Sequence, residues 1–510
     1  MNMNINFHKW DKKTSNHLFK SFREHLDMEE IQFYQPYFSL YFHLHNTKNS
    51  HKRIDLKRRY YIQEIIEITN KKYHTSNIFA KCKIYDSYKK IFTIEEVFCK
   101  CIPLLDPLYF IMSNYNNFVH RNPLLPSGYN YNTFEKINNM NNNAYIDTFL
   151  SFICSELSIN NINPSFPIYY GSVNAIKNNF NFDITDEYYS LKQESWFHKN
   201  LTNFDIKVDM YVSSDEEVDE EEDKEEGYSS DYSSSSSSSS TSTSSSSSTS
   251  TSSNSSNSYS SSCPGSNNDY IIPLNKLPSQ TFFIEKLQGT LEDLLGDIED
   301  LKSDVILSCI FQVSFALNYM QKHYSFTHND LHINNIMYTS TSKTYLYYKF
   351  NNIYFKIPTY GYLFKIIDFG RAIFTFHNRL FFNDTFEKHG EAEGQYSKPY
   401  NKLNFKDSNV INKPNYHFDL CRLAITILDV CNYDKNINYK SKQSFIDFIY
   451  NMTLTKDCES LYDLDDDFNM YISIAKYACN SLPKNIIQNI IFNNFRIKKK
   501  DFPKKSYYSS

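Results

Sequence analysis

The sequence predicts an α+β chain, and three observations carry that expectation. Two runs, Asn77 to Tyr85 and Glu96 to Ile102, joined by a polar turn at Asp86 to Lys90, have the pattern of paired strands. Residues 145–157 carry Ile146, Phe149, Leu150, Ile153 and Leu157 at helical spacing, and the apolar stretch Val305 to Tyr319 is too long for a strand. Between these helices lies a low-complexity insertion, nearly all serine and threonine from Ser229 to Ser262, which cannot bury enough apolar surface to offset chain entropy and is expected to be disordered.

The remaining elements follow in order. Lys100 projects from the second strand, and Phe166 to Tyr170 reads as a short apolar strand closed by Gly171. After the insertion, Thr281 to Leu287 is a strand that runs into Gln288-Gly289 and then a helical turn at Leu291 to Leu295. Val305 to Tyr319 suits a buried helix. Beyond it, Tyr345 to Phe350 and Ile353 to Ile357 pair as a hairpin with Asn351-Asn352 at its turn. The apolar run Leu363 to Ile367 ends at Asp368-Phe369-Gly370, and Phe418 to Ala424 begins a helix.

Composition narrows the function classes. The 510 residues carry a formal charge of −5, but residues 215–226 alone contribute −9, so the rest of the chain sums to +4 and offers no nucleic-acid footprint. The basic ending Arg496 to Lys500 reads as a solvated helix end. Ten cysteines are scattered without zinc spacing, and Cys99 and Cys101, two apart on a strand, read as core packing. With no secretory signal and no apolar run of about 18 residues, the expectation is a soluble protein in a reducing compartment, with no membrane partner. Ser213 and Ser214, ahead of Asp215-Glu216-Glu217, have the form of acidophilic phosphoacceptors, although a flexible tether is the plainer reading of the insertion.

The segment His328-Asn329-Asp330-Leu331-His332-Ile333-Asn334-Asn335, followed by Asp368-Phe369-Gly370, reads as a phosphoryl-transfer site. Transfer of a γ-phosphate needs a carboxylate to orient and deprotonate the attacking hydroxyl, and an amide oxygen with a second carboxylate to hold Mg²⁺. Asp330, Asn335 and Asp368 supply these groups. Asparagine is abundant here, but glycine is not: one of only 10 glycines falls in the motif. The order and spacing resemble the catalytic loop and metal-binding motif of protein kinases. Together with Phe98 to Pro107, Lys365 to Ala372 and Phe418 to Ala424, these phrases resemble the serine/threonine kinases of giant DNA viruses of the mimivirus type, over roughly residues 75–500. The abundance of Tyr, Phe, Asn, Ile and Lys is the bias of AT-rich codons and agrees with that source. If the protein is viral, host cytoplasm or virion is its expected place.

The resemblance implies a bilobal protein kinase-like fold, a small β-rich N-lobe and a larger helical C-lobe, that binds ATP and Mg²⁺ between them and phosphorylates Ser or Thr of a protein substrate. Residues 1–74 would be an N-terminal extension, 75–287 the N-lobe with 213–268 as its acidic and Ser-rich insertion, 288–500 the C-lobe and 501–510 a tail. Lys100 would hold the α- and β-phosphates, with Asp147 as its helix partner and Glu156 as the other carboxylate available. Asp330 would be the base, Asn335 and Asp368 the metal ligands. Ile284 would guard the back of the adenine pocket, and Glu285 to Leu287 would offer backbone groups to adenine. Asp419 would brace the catalytic loop.

Three departures bear on activity. No glycine precedes Gly128, so Lys71 to Asn77 cannot form the glycine-rich loop whose amides approach phosphates closely, and ATP binding should lean on Lys100 and the metal. His332 stands where protein kinases usually carry lysine, as in aminoglycoside and choline phosphotransferases. Asn329 replaces an arginine that would pair with a phosphorylated activation loop. A protein kinase is the first reading, a small-molecule phosphotransferase of the same fold the second, and a catalytically weak pseudokinase scaffold the third.

Overall fold

The structure is a computed structural model that describes residues 3–34, 36, 52–69, 76–112, 124–126, 135–203, 207–212, 268–298, 301–388, 390–396, 413–464 and 467–509. Residues 213–267 of the acidic and Ser-rich insertion and residues 71–75 of the glycine-free stretch lie outside the described residues; Asn268, expected at the end of that insertion, instead opens a strand.

A mixed α/β architecture is built on antiparallel sheets. Its first half contains α1 (Lys12–Leu26), β1 (Met28–Phe33), β2 (Tyr60–Ile68), β3 (Ile78–Asp86), β4 (Ile91–Pro103), α2 (Asn143–Ile159) and β5 (Tyr169–Lys177). A small sheet of β6 (Phe180–Asp183), β7 (Asp209–Val212) and β8 (Asn268–Leu274) follows, and then β9 (Leu277–Glu285). Six of these strands form one antiparallel sheet in the order β1-β5-β9-β4-β3-β2.

Strand alternation lets one sheet serve two helices. On β9, Phe283 stacks on Phe22 of α1 at 5.0 Å between ring centres, while its neighbour Phe282 joins the core around Phe149 and Ile153 of α2. Helix α1 starts where the Asp11 carboxylate accepts from Thr14 N–H at 2.9 Å, and it buries Leu18, Phe19, Phe22 and Leu26. Residues 1–74, for which the sequence suggested no element, thus contribute a helix and strands β1 and β2 to this sheet.

The short strand expected at Phe166 to Tyr170 is displaced. β5 runs from Tyr169 through Gly171 to Lys177, so Gly171 lies inside the strand rather than closing it. The reason is Arg58, whose side chain is 2% exposed. It pairs with Asp55 at 2.8 Å and donates to the Tyr170 carbonyl at 2.9 Å. A Cβ on Gly171 would sit 2.6 Å from Arg58 Nη2, and its φ of +151° disfavours a side chain as well. Gly171→Ala is therefore expected to destabilise the protein by about 2 kcal/mol or more, read as a lower midpoint in urea unfolding.

The insertion leaves the small sheet at adjacent points, because Val212 and Asn268 are direct partners in the β7–β8 ladder. Deleting 213–267 and closing the gap with a two-residue hairpin turn should leave the melting temperature within about 5 °C of the full chain. A larger drop in a thermal melt would show that the segment contributes packing.

The second half contains α3 (Ser303–Tyr324), β10 (Ile336–Ser340), β11 (Tyr345–Phe350), β12 (Ile353–Pro358), β13 (Tyr362–Ile366), α4 (Phe418–Val430), α5 (Gln443–Asn451) and α6 (Asp467–Tyr477). The expected hairpin forms as β11–β12, with Phe350 opposite Ile353 and Asn351 at φ 52°. Two expectations are corrected. Leu291 to Leu295 contains only a single 3₁₀ turn, Glu292–Leu294. The basic ending is a two-residue strand, Arg496–Ile497, paired with β12 and followed by a 3₁₀ turn, rather than a helix end. Among the described residues, α3 alone is long and apolar enough to cross a membrane, and 83% of its apolar window is buried inside the fold.

Candidate active site

Four segments far apart in sequence meet at one place. α3 ends with Ser325 in the left-handed region, and Thr327 exchanges backbone hydrogen bonds with Ile373 at 2.9 and 3.0 Å. The next two amides, His328 N–H and Asn329 N–H, both donate to the fully buried Asp419 carboxylate of α4 at 3.0–3.1 Å. The chain can then turn sharply at Asn329, φ 64°, and present Asp330. Asp419 is thus the bracing carboxylate that the sequence suggested.

Asp330 Oδ1 accepts from the Tyr471 hydroxyl at 2.6 Å and lies 3.6 Å from Arg371 Nη1. Burial acts against ionisation, but Arg371, His332 and Tyr471 outweigh it and hold this carboxyl below its ordinary range. Asn335 donates its amide hydrogen to the Asp330 carbonyl at 2.8 Å, which commits Nδ2 and leaves Oδ1 available. His332 does not turn toward the carboxylate. Its Nε2 lies 3.0 Å from Asn335 Nδ2 and its Nδ1 accepts from Asn334 N–H at 3.3 Å, and burial pushes its pKa down.

The second group gathers around Lys100 on β4. Its Nζ lies 2.7 Å from Asp147 Oδ2 of α2 and 2.8 Å from Asp368 Oδ1. Asp147 is fully buried, and its other oxygen accepts from Phe369 N–H at 2.9 Å. The side chain of Glu156, the other carboxylate on this helix, accepts from Asn160 Nδ2 at 3.4 Å and from no other group among the described residues. Burial opposes the charge on both partners, but the attraction wins for Lys100, whose pKa rises, and for Asp368, held down to about 2. Asp368 sits at φ 59°, with Gly370 N–H returning to its Oδ1 at 3.2 Å. Phe369 is buried and touches the rings of His328, Phe326 and Phe166.

Helix α2 is held in register by the segment after Gly370. Asp384 Oδ1 accepts from Asn143 N–H at 3.0 Å at the start of α2, and its Oδ2 lies 3.4 Å from Lys136. Asn383 Nδ2 donates back to the Gly370 carbonyl at 2.6 Å. The same short stretch therefore grips the start of the Asp147 helix and the end of the Asp368 motif.

On the neighbouring strand, Phe282 is opposite Lys100 and Ile284 is opposite Phe98. Ile284 is buried. Of the backbone donors expected to be open, two are already used: Glu285 N–H donates to Ile168 O at 2.9 Å and Lys286 N–H to Glu96 O at 3.2 Å. Leu287 N–H has no backbone partner among the described residues. The Glu285 side chain is drawn away to Lys365 and to Ile168 N–H.

The residues suit a magnesium ion that keeps most of its coordination from elsewhere. Among the described residues no three His, Cys, Asp or Glu side chains form a metal cluster, and neither Asn335 Oδ1 nor Asp368 Oδ2 has a hydrogen-bond partner. One carboxylate and one amide oxygen, with water and phosphate oxygens completing the shell, is the usual economy of Mg²⁺ sites.

Tyr471, Arg371 and Asp384 were not singled out from the sequence. Tyr471 is one of 42 tyrosines, with no motif around it. Arg371 follows the Asp-Phe-Gly motif directly and was the most legible of the three.

No family model matches the chain. It is 28% identical over 192 residues to the serine/threonine-protein kinase haspin homolog of Drosophila melanogaster, covering 36% of this chain and 33% of that protein. It is also 38% identical over 85 residues to Uncharacterized protein 098R of Invertebrate iridescent virus 6, covering 16% of this chain and 14% of that one. The alignments thus span a third or less of the length of these relatives. The first supports a distant, protein kinase-like relationship; the second says nothing about function.

Proposed function

We propose that this protein is an ATP- and Mg²⁺-dependent protein kinase that transfers the γ-phosphate to Ser or Thr hydroxyls. The observation that carries the reading is the convergence of Lys100, Asp147 and Asp368 in one ion-paired group, beside a loop in which Asn335 is bonded to Asp330. A structural salt bridge would not require a metal-type motif and a braced carboxylate next to it. The sheet order around Lys100, with a β2–β3 hairpin leading to the β4 lysine, is what a two-lobed kinase-like arrangement calls for. The distant likeness to a protein kinase favours protein over small-molecule acceptors.

In this mechanism Lys100, kept charged by Asp147, binds the α- and β-phosphates. Leu287 N–H is the open donor for adenine, behind which Ile284 closes the pocket. Asn335 Oδ1 and Asp368 Oδ2 would hold Mg²⁺, which when bound would supply positive charge against the phosphate oxygens. Asp330 orients the acceptor hydroxyl and takes its proton as that oxygen bonds to the γ-phosphorus, while the bond from phosphorus to the β–γ bridging oxygen breaks and ADP leaves. Because the sequence has no glycine before Gly128 to let backbone amides approach the phosphates closely, the Michaelis constant for ATP should be high.

The test is transfer of label from γ-labelled ATP, with and without Mg²⁺, to a panel of Ser/Thr-containing proteins and small alcohols. Metal-dependent labelling of protein supports the reading. Labelling of small alcohols alone would make the chain a small-molecule phosphotransferase, and no labelling at all would leave a scaffold.

A further inference from the structure

We infer that Tyr471 is a positioning residue for the base, holding Asp330 by one carboxylate oxygen so that the other faces the acceptor hydroxyl. This rests on the phosphotransfer reading and goes beyond it by naming what orients Asp330. The Tyr471 hydroxyl donates to Asp330 Oδ1 at 2.6 Å, in the range of a charge-assisted O–H···O⁻ bond. Arg371 Nη1 approaches the same oxygen at 3.6 Å, while Asp330 Oδ2 has no partner among the described residues. A carboxylate free to rotate about its last bond would present either oxygen; one anchored at Oδ1 presents Oδ2.

The tyrosine is itself fixed. The guanidinium of Arg422 lies 4.9 Å from its ring centre and that of Arg371 lies 5.5 Å away, so two cations lie over the ring. Phe418 packs on it at 5.9 Å between ring centres. Phe418 precedes Asp419, so one turn of α4 both steadies Tyr471 and binds the loop amides before Asp330. Arg371 also faces Glu391 at 3.9 Å, which divides its charge between two carboxylates and leaves the tyrosine as the shorter anchor. His332, the side chain the sequence put beside the base, is turned to Asn334 and Asn335 instead.

In the full-length chain, Tyr471→Phe keeps the ring that the two arginines contact and removes only the donor. We expect kcat to fall about tenfold to a hundredfold, the loss of one hydrogen bond to a charged group in the transition state. The Michaelis constant for ATP should stay within about twofold, because a group acting on the base does not touch the nucleotide. Installing 3-fluorotyrosine at 471 keeps the hydroxyl and lowers its pKa. Turnover should then be restored near neutral pH, with its alkaline limb moved to lower pH, an arm that does not depend on the phenylalanine variant folding. Wild-type kcat in Tyr471→Phe, or a fluorotyrosine protein whose alkaline limb does not move, would overturn the inference. A rise in kcat would overturn it too, by showing that Tyr471 blocks the acceptor position. Absence of turnover in the wild type would remove the functional reading together with this one.

Discussion

Asp330→Asn should reduce phosphotransfer by about 10²- to 10⁴-fold, the range expected when a positioned general base is lost. The fold should survive. Asparagine has the same shape, its Oδ1 can still accept from Tyr471, and Asn335 bonds to the backbone carbonyl of residue 330, which the change leaves in place. The side chain is 22% exposed, so no deeply buried group is stranded. Initial rates beside a thermal melt check this, in preparations purified from a host strain lacking the activity. Turnover equal to wild type with an unchanged melt would remove Asp330 from the mechanism.

Lys100→Met should cost about 3 to 5 kcal/mol of stability and nearly all turnover, because it strips a buried carboxylate of its counter-charge while keeping the bulk of the side-chain stem. Asp147 is fully buried, and among the described residues Phe369 N–H alone would remain to it. The pH dependence has a definite sign. In the wild type the folded-state pKa of Asp368 is depressed, so its contribution is present above about pH 4 and is lost as pH falls through about 2. Lys100 is raised, so its contribution is present below about pH 10 and lost only in strong alkali. In the variant, burial without Lys100 raises Asp147 further, and a raised carboxylate contributes stability that is lost as pH rises through its folded pKa. The gap in melting temperature between wild type and Lys100→Met should therefore be smaller at pH 5 than at pH 8. An equal gap at both would mean that water or a rearranged neighbour compensates Asp147.

What the sequence made legible follows from which signals are local. The helix at 143–159, the hairpin 345–358 and the strand ending at Ile366 announce themselves through period and turn residues, and the structure has them within a few positions. Gly171 misled because glycine inside a strand and glycine at its end look alike, and the reason for this one is Arg58, 113 positions earlier. Helix α1 did carry a signal, Asp11 as cap and Leu18, Phe19, Phe22 and Leu26 on one face, but nothing local says that it covers the β9 strand. At the site, the carboxylates, the lysine and the asparagine stand in recognisable phrases. Tyr471 and Asp384 act through contacts spanning 141 and 241 positions, and no local pattern encodes such reach.

The buried Asp419 carboxylate has a practical corollary for amide hydrogen exchange. The N–H groups of His328 and Asn329 are held against it out of contact with water, so their deuterons should enter only when the loop lets go. Those two protons form a clock for the opening of this loop that is independent of nucleotide, acceptor and turnover. A variant altered at Asp330 or Tyr471 that keeps their slow exchange has lost chemistry rather than the loop that presents it.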